Sequence, residues 1–144
     1  MKTPLVLLCA VGLLFGLGPS RAGAEDRIEK TRSGTWGPYR VTYEPVPDPI
    51  PLNGLFRLRV TVRDRSGRPM PGVDLAVSAA MPEHQHGMTL EPRVRQTGEG
   101  SFEVEGMLFH MPGRWWVQLD LQGATQENHE KSSKTRAVFE VTLE

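Results

Sequence analysis

Cysteine is all but missing from this chain. Its 144 residues include one, Cys9, which stands inside an apolar run near the N-terminus. That run, residues 5–17, follows Lys2 and precedes Ala22-Gly23-Ala24. A basic start, a short apolar stretch and an A-x-A site make residues 1–24 a secretory signal peptide, cleaved after Ala24. The run is too short to span a bilayer comfortably, so no membrane span is expected after cleavage. Cleavage removes Cys9, and residues 25–144 then hold no thiol. The exported chain therefore has no disulfide, and its fold rests on a hydrophobic core. Thiolate also drops out as a metal ligand.

Other absences narrow the function. There is no excess of basic charge: Lys+Arg and Asp+Glu both number 17. Losing Lys2 and Arg21 with the leader takes the net charge to about −2, which leaves nothing to attract nucleic acid. There is no phosphate-cradling glycine loop. No serine has the glycine-flanked setting of a nucleophile elbow. The expectation is a chain without catalytic activity.

Helical periodicity is missing as well. Apolar residues alternate instead of recurring at i, i+3 and i+4. In residues 55–63, Leu58, Val60 and Val62 share one parity, against Arg57, Arg59 and Arg63 on the other. Such a strand has one buried and one wet face. Further strands are expected at 39–44, 73–80, 91–96, 101–108, 114–121 and 136–143, with turns rich in glycine, proline and aspartate between them. Seven short strands predict an all-β, single immunoglobulin-like antiparallel β-sandwich. The domain reading is a signal peptide over 1–24, a flexible leader over 25–37 and the sandwich over 38–144.

What the sequence does have is histidine and methionine, gathered in two segments. One is Met81-Pro82-Glu83-His84-Gln85-His86-Gly87-Met88; the other is Phe109-His110-Met111-Pro112-Gly113. Three of the four histidines lie there. The fourth, His129, sits in a polar loop and reads as solvated. If successive strands run up and down, the 81–90 and 109–113 connections reach one pole of the sandwich. The proline-rich connection after the first strand joins them. His84 and His86, two apart in an extended segment, point the same way, and Gly87 frees the backbone to turn after them.

Imidazole and thioether are neutral at working pH and suit copper, above all Cu(I). The expected metal ligands are His84, His86 and His110, with Met88 or Met111 as thioether. Zinc is an alternative for the three histidines. Met81 and Met107 read as core residues. Glu83 reads as an acceptor for an imidazole N–H. Trp115 reads as core, and Trp116 as outward-facing.

A Met-Pro-x-His-x-His-Gly-Met element followed by His110-Met111-Pro112-Gly113-Arg114-Trp115 resembles the YtkA-like group, related to FixH-like domains. The resemblance covers roughly residues 38–143. It implies an immunoglobulin-like fold, a periplasmic or secreted location and a link to copper handling or haem–copper oxidase assembly. The functional expectation is a copper chaperone, buffer or resistance factor that passes its ion to a periplasmic or membrane protein acceptor. The alternative is an interaction module or accessory factor of an exported or membrane complex, without its own metal.

Overall fold

The computed structural model describes residues 32–124 and 132–144. The signal peptide, its cleavage site and His129 lie outside the described residues. Nine strands follow in chain order: β1 (Arg32–Trp36), β2 (Tyr39–Val46), β3 (Leu55–Arg63), β4 (Val73–Met81), β5 (His86–Gly87), β6 (Arg93–Gly98), β7 (Ser101–Leu108), β8 (Gly113–Ala124) and β9 (Ser132–Leu143). They form two antiparallel sheets, ordered β1-β2-β3-β7-β6 and β5-β4-β8-β9. The all-β sandwich expected from alternation is what the chain builds. No helix among the described residues is long and apolar enough to cross a membrane.

The alternation accounts for the core. On β3, Phe56, Leu58, Val60 and Val62 are buried while Arg57, Arg59 and Arg63 are exposed. On β8, Trp115, Val117, Leu119 and Leu121 are buried. Tyr39, Val41 and Tyr43 of β2 and Ala137, Phe139 and Val141 of β9 complete the packing between the sheets. Each fully buried aliphatic side chain of this kind contributes about 1.5–3 kcal/mol, and a chain without disulfides depends on that sum. Met81 and Met107 are fully buried, as expected.

Two strands escaped the sequence reading. Residues 32–36, assigned there to the flexible leader, form β1 and pair with β2 from Arg32↔Tyr43 to Trp36↔Tyr39. Ser33 and Gly34 weaken the strand pattern. A tertiary contact holds it: the Trp36 ring stands edge-on to Phe139 at 4.7 Å. Trp36 also folds across Gly34, where any Cβ would collide with its indole. The second missed strand is β5, only two residues long and inside the segment read as a loop.

The polar turn between β3 and β4 is organised by Asp64. Its carboxylate accepts hydrogen bonds from the backbone N–H of Ser66 at 2.8 Å and of Arg68 at 2.9 Å. At the opposite pole, Leu52 bridges to Phe109, and the Asn53 N–H donates to the Phe109 carbonyl at 2.9 Å. The proline-rich connection therefore meets the 109–113 segment, as the up-and-down order predicts.

Candidate metal centre

β4 and β5 form a hairpin, and its register aims the second histidine. The His84 N–H closes the turn on the Met81 carbonyl at 3.2 Å. Gln85 takes the left-handed conformation, φ 56°, so the chain reverses before His86. Gly87 lies in the strand beyond the turn, which corrects the expectation that it supplies the turning freedom. Met81 pairs with His86, and Ala80 with Gly87. Directly paired residues share a face. Since Met81 points into the core, His86 faces inward too, at the rim of the sheet. The extended i, i+2 argument for His84 and His86 does not apply, because one is in the turn and the other in the strand. Their rings nevertheless lie 5.7 Å apart.

His110 comes from the other segment, just past β7. Its ring centroid is 5.2 Å from that of His86. The tertiary structure therefore brings all three expected histidines to one pole. Beneath them is Trp115, fully buried at the start of β8. Its indole stacks on Phe109 at 4.6 Å and meets His110 edge-on at 5.5 Å and His86 at 6.1 Å. The Trp115 Nε1–H donates to the Met111 carbonyl at 3.0 Å, pinning the loop that carries His110. Trp115 is a core residue, as its parity predicts, and in addition forms the floor under His86 and His110. The only sequence signal of that second role was its place two residues after Gly113.

Met88 and Met111, the expected thioethers, are half-buried and pack on the core at its edge. The Met88 N–H is held by the Ala79 carbonyl at 3.1 Å. Gly113 has φ 116°, and a Cβ there would sit 2.9 Å from the Met81 methyl. The Met81 methyl, at the end of a flexible side chain, can give way, so it is the positive φ that calls for a glycine here. Glu83 does not serve an imidazole. Its carboxylate accepts from Arg114 Nη2 at 2.5 Å, and Arg114 also reaches Glu140 at 3.8 Å. A charged donor takes the carboxylate in preference to a neutral ring. Trp116 is 38% exposed, on the outer face as predicted.

Chemically, the pole offers imidazole nitrogens. His86 Nδ1 lies 3.3 Å from the Gly87 carbonyl. A proton there donates to that oxygen and leaves Nε2 free as a ligand. His110 Nδ1 is buried and has no hydrogen-bond partner. Among the described residues, no group of three or more His, Cys, Asp or Glu side chains stands ready to hold one ion.

Residues 37–120 match the model of the YtkA-like family. Among solved structures, the chain is similar to a copper-bound variant of FetP from uropathogenic Escherichia coli. The identity is 10% and the TM-score 0.51, over 80% of this chain and 92% of that one. It is also similar to a DUF4426 family protein from Pseudomonas aeruginosa, at 12% identity and TM-score 0.46, over 81% of this chain and 98% of that one. No curated protein matches. The match over more than half of its length makes this chain a member of the YtkA-like family.

Proposed function

We propose that this YtkA-like chain binds copper, Cu(I) by preference, outside the cytoplasm and acts as a chaperone, buffer or resistance factor. One observation carries the reading. The fold brings His84, His86 and His110 into successive ring contact, with His86 and His110 over the Trp115 indole, and His110 keeps a buried nitrogen without a partner. An unpaired buried polar atom costs about 1–3 kcal/mol, and a bound ion removes that cost. The half-buried thioethers of Met88 and Met111 suit a soft monovalent ion better than zinc. The copper-bound state of FetP, on the same fold, is in keeping with this. The leader at residues 1–24 supports export, and release to a protein acceptor proceeds by ligand exchange.

The test is Cu(I) titration of residues 25–144 against a competing chelator, with Cu(II) and Zn(II) in parallel. The expected result is one Cu(I) per chain, bound tightly and lost when His84→Ala is combined with His110→Ala. Unchanged affinity in that double variant would refute the reading. A second reading rests on exposed apolar residues at the same end: Leu55 is 67% exposed and Trp116 38%. On that reading the pole docks on a partner without holding a metal, and none of the three metals binds.

A further inference from the structure

We infer that the three imidazoles form two overlapping copper positions, an outer one between His84 and His86 and an inner one between His86 and His110. The inference rests on the copper reading above and deepens it into a path for the ion. Its basis is the shape of the cluster, which is a row. His84 and His86 lie 5.7 Å apart and His86 and His110 5.2 Å apart, centroid to centroid. His84 and His110 make no ring contact with each other among the described residues.

Those spacings have a direct meaning. An imidazole nitrogen binds its ion at about 2 Å, and the ring centroid lies roughly 1.2 Å behind it. Two rings sharing one ion therefore have centroids about 5 Å apart in tetrahedral geometry and about 6.5 Å apart when collinear. Both adjacent pairs fall in that window. The absence of any ready group of three ligands follows from the same arrangement. Each pair has the spacing for one shared ion, and His86 belongs to both.

The two positions differ in environment. His84 is exposed on the hairpin turn, whereas His86 and His110 are half-buried. Trp115 touches His86 and His110 and makes no ring contact with His84. The thioethers of Met88 and Met111 pack at the edge of the core. The outer position is a wet two-histidine seat suited to capture and release. The inner position is walled by an indole and is the more buried of the two, so it determines affinity. Moving between them, the ion keeps its bond to His86 while His84 is exchanged for His110, and it is never released to water.

The experiment measures Cu(I) affinity and the rate of Cu(I) transfer to a chelator in the wild-type domain, His84→Ala and His110→Ala. His110→Gln provides a second variant at the half-buried position in case the truncation disturbs folding. His84→Ala is expected to keep one-to-one binding with a loss of affinity about tenfold smaller than that of His110→Ala, while slowing transfer about tenfold. His110→Ala is expected to lower affinity by about a hundredfold, the upper range for losing a metal-site partner. Equal losses of affinity at both positions would mean a single three-histidine site and overturn the inference. So would an unchanged transfer rate in His84→Ala. A wild-type domain that binds no Cu(I) overturns the copper reading itself, and the path with it.

Discussion

Replacing Trp115 by phenylalanine tests how the pole is built. Trp115 is fully buried, and its Nε1–H donates to the Met111 carbonyl at 3.0 Å. Phenylalanine keeps a stacked ring against Phe109 but removes the pyrrole edge. The void is a few tens of Å³, and at about 24 cal/mol per Å³ it costs about 1 kcal/mol. The Met111 carbonyl also loses its donor in a partly buried place, which costs about 1–2 kcal/mol more. The sum is about 2–3 kcal/mol, a large share of the stability of a domain this size. Urea unfolding, followed by circular dichroism, should show a lower midpoint with an unchanged slope. The same variant should weaken Cu(I) binding, since the loop carrying His110 loses its tether. A loss below about 0.5 kcal/mol would refute the reasoning, because neither the cavity nor the hydrogen bond could then be present as described.

Two further outcomes follow from the sequence-to-fold argument. Gly100 is buried with φ 58°, and a Cβ there would collide with the Val62 carbonyl and stand 2.9 Å from the Met70 N–H nitrogen; Gly100→Ala should cost about 2–4 kcal/mol, and a thermal midpoint unchanged within error would contradict the turn geometry. Hydrogen bonds from Ser66 and Arg68 hold the Asp64 carboxyl well below the usual carboxylate range. A depressed folded pKa stabilises above the unfolded value and is lost as pH falls, so Asp64→Asn should flatten the decline in thermal midpoint below about pH 4. Parallel wild-type and variant curves would show that the turn does not depend on the charge.

The alternation of Leu58, Val60 and Val62 with three arginines was enough to specify a half-buried strand, and its recurrence was enough for a sandwich. The two histidine segments were also legible as neighbours, because strand count and antiparallel order place their loops at one pole. The donor types were plain because Cys9 is the one cysteine and stands in the N-terminal apolar run: beyond it the chain has only imidazole, thioether and carboxylate to offer. Side-chain period sufficed for each of these, since period and chain order are local properties.

Direction and depth were not legible. The inward aim of His86 depends on the pairing of Met81 with His86, in a strand of two residues that no periodicity can announce. Glu83 went to Arg114, a residue 31 positions away, because a guanidinium happened to stand there. β1 holds its place through Trp36 on Phe139, a contact across the whole chain. The row of histidines, shallow at His84 and half-buried at His86 and His110, exists only once the hairpin has been folded over Trp115. By itself the sequence determined which atoms are available and at which end of the molecule. The tertiary structure decided their order and their burial, because distances between loops are set by the packing of the sheets beneath them.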